Sequence, residues 1–158
     1  MPSHNKQKSA EIIGKLSANE EMKSLIAELQ NQLKNTSEQF VWKILDAYVD
    51  EDNLKTEFKS AWIFVLRKDT PSQAHYYPNS TQYTAMIEGE ATCEIGGEKI
   101  SLVKFDPSRP DTIYVIDKAV PHEFFPAKRD LVVLSLHTVN AEELIEINCS
   151  GSKERKYT

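Results

Sequence analysis

Ala74-His75-Tyr76-Tyr77-Pro78-Asn79-Ser80-Thr81-Gln82 is the stretch that decides the fold, read together with Gly89 and with Val120-Pro121-His122 further along the chain. His75 and Gln82 fall on either side of a turn cluster, Pro78-Asn79-Ser80, and His122 falls on a later predicted strand. Side chains two apart on a strand share a face, so His75 and Tyr77 point the same way, and Gln82, Thr84 and Met86 line one face of the strand that follows. If these faces turn inward in a barrel, two imidazole nitrogens and an amide oxygen converge. That is a donor set for one metal ion with positions left open for water or substrate.

Working outward, the texture from Ser60 onward is one of short runs rich in Val, Ile, Tyr, Phe and Thr. They are separated by turn formers such as Asp69-Thr70-Pro71-Ser72, Gly96-Gly97 and Asp106-Pro107-Ser108-Arg109-Pro110. Strands are expected near 61–67, 73–77, 82–88, 91–95, 98–104, 112–116, 121–125 and 130–138, the pattern of an antiparallel sandwich or barrel. Gly96-Gly97 suits a two-residue hairpin turn, since both residues are free to take positive φ. Gly89 is expected in a strained turn where a β-branched residue is harmful.

Before residue 55 the period changes. Met22, Leu25, Ile26, Leu29 and Leu33 make one helical stripe, and Phe40, Val41, Ile44, Leu45 and Tyr48 make a second. Ser17 with Glu20 and Thr36 with Gln39 fit capping boxes at two helix starts. The expected organisation is a helical extension over 1–55, a β-barrel over 56–140 and a loose polar tail over 141–158. The helices are expected to pack on the outside of the barrel or to form a dimer contact.

Composition narrows the partners. With 158 residues, 40% of them apolar, the chain suffices for one domain with a core and a short appendage. A net charge of -5 argues against a general phosphate-binding surface, so nucleic acid is not expected. No run reaches the ~18 consecutive apolar residues of a bilayer crossing, and a cytoplasmic location is expected. Cys93 and Cys149 lack CxxC spacing and read as free thiols.

Residues 75–89 resemble the first motif of the cupin superfamily: His, any, His, three or four residues, Glu, six residues, Gly. His75 matches the first histidine, Tyr77 stands at the second, Gln82 stands at the glutamate and Gly89 falls in register. The second motif runs Gly, five residues, Pro, any, Gly, two residues, His, three residues, Asn. Asp111, Asp117 and Ala119 replace Gly, Pro and Gly, His122 matches the histidine, and Pro126 replaces Asn. The resemblance covers about 60–138 and implies a mainly β protein, a cupin-like jelly-roll barrel with an N-terminal helical extension, frequently a homodimer, with its pocket inside the barrel.

On this reading His75, Gln82 and His122 are the metal ligands, for iron, nickel, manganese or zinc. Tyr77 is the candidate catalytic acid or base, and Thr84, Met86 and Phe124 are the substrate-binding residues. A neutral Gln and Tyr in place of Glu and His weaken the ligand set and leave a bound ion less neutralised, which favours a small anionic oxygenated substrate such as a carboxylate or enolate. Three classes stay open: a dioxygenase, isomerase or lyase using a metal; a non-catalytic small-molecule binder; and a metal-free enzyme of the epimerase type with histidine as base and Tyr77 as acid. His137 reads as a structural histidine of the last apolar strand, and Cys93 as a small half-buried residue.

Overall fold

The computed structural model describes residues 5–158. Among these residues two helices, α1 (Lys6–Ser17) and α2 (Met22–Lys34), precede eleven strands. These are β1 (Phe40–Ile44), β2 (Ser60–Leu66), β3 (His75–Tyr76), β4 (Gln82–Glu88), β5 (Ala91–Ile95), β6 (Glu98–Ser101), β7 (Tyr114–Ile116), β8 (His122–Pro126), β9 (Leu131–His137), β10 (Ile145–Asn148) and β11 (Glu154–Lys156). They form two antiparallel sheets, in the orders β1-β2-β9-β4-β7 and β11-β10-β3-β8-β5-β6.

The central strands of the first sheet are buried on both faces, and their register sorts the side chains. Trp62 pairs with Ser135, Phe64 with Val133, Thr84 with Ser135 and Gln82 with His137, all on the face turned toward the second sheet. Ala61, Ile63, Val65, Tyr83, Ala85, Val132, Leu134 and Leu136 take the other face and pack with Ile12, Ile13 and Leu16 of α1 and Leu25, Leu29 and Leu33 of α2. The helices therefore cover the outside of the sheet, as their apolar stripes require.

Residues 36–48 correct the expected second helix. Phe40–Ile44 is a strand paired with β2, followed by a turn of 3-10 helix over Asp46–Tyr48. Phe40, Trp42 and Ile44 face the barrel core and Val41 the helix-covered core, so apolar groups fall on both sides and imitate a helical stripe. The capping boxes fail for local reasons. Ser17 ends α1 with its hydroxyl donating to the Gly14 carbonyl, and Thr36 accepts from the Glu38 amide in the link to β1. The side chain that caps α1 is Asn5, which accepts from the Lys8 amide.

The expected loose tail is also ordered. β11 pairs with β10, and Tyr157 is buried. The Gly96-Gly97 hairpin is as expected, with φ of +58° and +86° between the paired β5 and β6. Gly89 has φ +103°, and a Cβ there would lie 2.6 Å from the Asp130 carbonyl oxygen, so both backbone angle and space demand glycine. No helix among the described residues is long and apolar enough to cross a membrane. Cys93 is buried and Cys149 exposed, both free, and burial pushes the Cys93 thiol up to about 12.

Candidate functional site

The two sheets bring four polar side chains to one end of the barrel interior. β3 and β8 pair at His75 and His122, whose ring centroids are 4.3 Å apart; on the facing sheet, Gln82 of β4 pairs with His137 of β9. The Tyr77 ring, just past β3, stands among the imidazoles, 5.4 Å from His75, 5.5 Å from His122 and 4.8 Å from His137. The separate stretches singled out in the sequence thus do meet inside the shell.

Hydrogen bonds fix how each group presents itself. His75 Nδ1 donates to the Gln73 carbonyl at 3.0 Å, and His122 Nδ1 donates to the Val120 carbonyl at 3.1 Å. A carbonyl only accepts, so these nitrogens carry the protons and the Nε2 atoms are left to meet other groups. Gln82 Nε2 donates to Ser135 Oγ at 3.0 Å, and Ser135 donates onward to Thr84 Oγ1 at 2.9 Å. This chain leaves Gln82 Oε1 as a bare acceptor. His137 Nδ1 lies 2.8 Å from Ser80 Oγ. Gln82 Oε1, His122 Nε2 and His137 Nε2 are all buried without a partner.

Burial, and after it the neighbouring imidazole of His75, holds His122 well below the ordinary histidine range and lowers His137 to about 3. Both rings are neutral at physiological pH. Burial pushes the Tyr77 phenol well above its usual value, and the neighbouring Tyr157 and Glu146 add to the shift. Tyr77 is therefore a proton donor at neutral pH, and of the acid and base roles open to it only the acid one matches its charge state.

Two participants lie outside the site read from the sequence: Glu146, which that reading leaves out, and His137, which it takes as structural. Glu146, on β10, is buried, accepts a hydrogen bond from the Tyr157 hydroxyl, lies 3.6 Å from His75 Nε2, and has Arg155 Nε 3.8 Å from its second oxygen. The available signal was a lone acid between Ile145 and Ile147, a strand pattern hidden inside a segment read as polar tail. His137 is the second, fully buried and yet with one nitrogen unpaired.

A cavity of about 20 Å³ lies here, lined by His75, Tyr77, Gln82, Phe124, Glu146 and Tyr157 among others. That is room for a single water molecule. Thr84 is engaged with Ser135 and with the Leu134 carbonyl, and Met86 packs in the barrel core.

Catalytic mononuclear metal centres take three protein ligands. Here His122 Nε2 and Gln82 Oε1 are free to ligate, whereas His75 Nε2 faces the Glu146 carboxylate. Among the described residues no group of three or more His, Cys, Asp and Glu side chains is placed to hold an ion. A three-ligand set of His75, Gln82 and His122 would need His75 to turn from Glu146.

No family model matches the sequence, and neither does any curated protein. Solved structures do resemble the fold. A salicylate 1,2-dioxygenase variant from Pseudoaminobacter salicylatoxidans, in complex with gentisate, is 16% identical over 82% of this chain and 36% of its own, with TM-score 0.60. An oxalate decarboxylase is 16% identical over 72% of this chain and 29% of its own, TM-score 0.54. Pumpkin seed globulin is 12% identical over 72% and 29%, TM-score 0.54. The chain spans about a third of the length of each, and identities this low speak for the fold alone. What the likeness shows is the architecture: a mainly β, cupin-like sandwich of two antiparallel sheets, preceded here by two helices.

Proposed function

We propose that the barrel binds a small hydroxyl-bearing molecule at the end lined by His75, Tyr77, Gln82, His122 and Phe124. The observation that carries this is the trio of buried, unpartnered polar atoms. An unsatisfied buried acceptor costs about 1–3 kcal/mol, and an occupant that donates hydrogen bonds removes that cost. Gln82 Oε1 and His122 Nε2 are lone pairs waiting for donors, Tyr77 offers a proton in return, and Phe124 supplies an apolar wall. A bare anion is the wrong complement to two neutral acceptors beside the Glu146 carboxylate. This is a binding role first; a proton transfer from Tyr77 to the bound molecule is the chemistry the site could add.

The same two free lone pairs favour one other reading. A divalent ion, iron, nickel, manganese or zinc, would be held by His122, Gln82 and a His75 turned away from Glu146. When bound it would act as a Lewis acid and make the anionic substrate of the sequence reading admissible.

Elemental analysis of protein purified without a metal-affinity tag, followed by thermal unfolding against a panel of polyols, sugars and phenols, separates the two. The expected result is metal far below stoichiometry and a saturable rise in Tm with one hydroxylated class, lost in Gln82→Met and His122→Phe. Stoichiometric metal that disappears in His75→Ala and His122→Ala replaces the first reading with the second. A Tm response identical in wild type and Gln82→Met sinks the site assignment.

A further inference from the structure

A cavity with room for one water cannot admit the ligand argued above unless something beside it moves. One wall of the cavity is the segment carrying Tyr157. β11 is an edge strand of three exposed residues, paired on one side only, at Glu154, Arg155 and Lys156. It is reached through Gly151 and Ser152, both with positive φ. Its one buried side chain is Tyr157, whose ring sits in a box of aromatic groups: 4.9 Å from Trp42, 5.7 Å from Trp62, 5.9 Å from Phe64 and 6.4 Å from Phe40, centroid to centroid. Its hydroxyl donates to Glu146, the acid that also faces His75. Arg155 lies over both the Phe40 and Tyr157 rings, at 5.3 and 5.8 Å, and closes the outside.

This slot has the specification of a phenol site. Aromatic edges and faces grip a six-membered ring, and a carboxylate at the inner end receives its hydroxyl. We propose that Tyr157 is a displaceable plug, occupying in its own barrel the place of a small hydroxyaromatic ligand. The ligand's ring takes the aromatic box and its hydroxyl takes Glu146, while β11 peels from β10. The plugged and open forms compete, so apparent affinity is the intrinsic affinity multiplied by the open fraction. This inference rests on the reading of the barrel as a ligand site and names a class of molecule for its Glu146 side, apart from the donors that Gln82 Oε1 and His122 Nε2 await.

The test uses the full chain and p-cresol, the tyrosine side chain as a free molecule, with toluene as the ring lacking a hydroxyl. Binding is followed by calorimetry and by the fluorescence of Trp42 and Trp62, and amide exchange is read across residues 145–157. In wild type, saturating p-cresol is expected to accelerate exchange at 154–157 while β2, β4 and β9 stay protected. Tyr157→Phe, which keeps the ring and loses the bond to Glu146, should bind p-cresol about tenfold tighter than wild type because its plug opens more often. Tyr157→Ala, with the slot empty, should bind tighter still and prefer p-cresol to toluene. Unchanged exchange at 154–157 in wild type under saturating p-cresol, with binding confined to Tyr157→Ala, overturns the plug and makes Tyr157 a fixed core residue. If hydroxylated probes then still raise the wild-type Tm in a Gln82-dependent way, the site reading survives that failure.

Discussion

Strands β2, β9 and β4 each have one face toward the helices and one toward the barrel, and the two faces obey different rules. The helix-covered face is almost wholly aliphatic, with Ile63, Val65, Val132, Leu134 and Leu136 against Ile12, Leu16, Leu29 and Leu33. The barrel face starts apolar at Leu66, Leu131 and Met86 and ends in Gln82, Ser135 and His137, together with His122 from the facing sheet. Among the described residues, the three unpartnered buried polar side-chain atoms all lie on the barrel side. A surface selected for stability alone would not leave them bare, and this is what supports the proposed site on the barrel side of a sheet whose other side packs on helices.

Leu134→Ala probes the difference most strongly. Leu134 is fully buried between sheet and helices, and truncation there should cost about 3–4 kcal/mol. Chemical denaturation should show that loss while leaving the ligand response of the barrel intact. If the ligand response vanishes as well, the two faces are not separable.

The pH dependence of stability sharpens the same contrast, because it comes from the barrel face. His137 titrates near 6.5 in the unfolded chain and at about 3 in the fold, and His122 is displaced in the same direction. Between those values the unfolded state binds more protons, so stability is fully present above 6.5 and is lost as pH falls toward 3. The slope approaches about 1.4 kcal/mol per pH unit for each histidine. Thermal unfolding between neutral pH and mildly acid pH should follow it, and His137→Phe should remove one histidine's share. An unchanged slope in that variant would mean that His137 is not buried neutral.

Gln82→Met tests whether the polar end is kept for something other than folding. The substitution deletes an unsatisfied oxygen and one bond to Ser135 and conserves volume, so unfolding free energy should change by less than about 1 kcal/mol. The ligand-induced rise in Tm should disappear. A loss as large as that of Leu134→Ala would make Gln82 a structural residue.

What the sequence made legible tracks how locally each feature is encoded. Strands bounded by Gly, Pro, Asn or Asp, such as Gln82–Glu88 and Ala91–Ile95, fall where the turn chemistry puts them. So does the meeting of His75, Gln82 and His122 at one end of the barrel, because motif spacing is a local property and the two-residue period did the rest. Phe40–Ile44 reads as helix because this edge strand carries apolar side chains on both faces, Phe40, Trp42 and Ile44 on one and Val41 on the other, and only its partner β2 reveals the period. The roles of Glu146 and Tyr157 escape the sequence for another reason. Their roles exist only once β10 and β11 pair and carry them over the barrel mouth, and nothing in the sequence around residues 141–158 indicates that pairing. The unpaired state of His137 is likewise a fact of packing, since its neighbours in sequence, Leu136 and Thr138, say only that a strand is ending.

The smallest effect is expected at Ala119, and it bears on the loop that aims His122. Ala119 adopts φ +63°, the left-handed conformation, at the position where the second cupin motif carries glycine, and its amide donates to the Tyr77 carbonyl at 2.9 Å. A side chain in that conformation costs about 1–2 kcal/mol, partly offset in a glycine variant by the greater freedom of the unfolded chain. Ala119→Gly should therefore stabilise the fold by about 0.5–1 kcal/mol, read as a higher midpoint in denaturant with an unchanged slope. The helix-covered face has no counterpart, for none of its residues has positive φ. Strain stored in the segment between Tyr77 and His122, relieved by removing one methyl group, would place backbone tension and unpaired polar atoms at the same end of the barrel. A glycine variant no more stable than wild type would instead mean that the loop tolerates its alanine without strain, and the two faces would then differ in polarity alone.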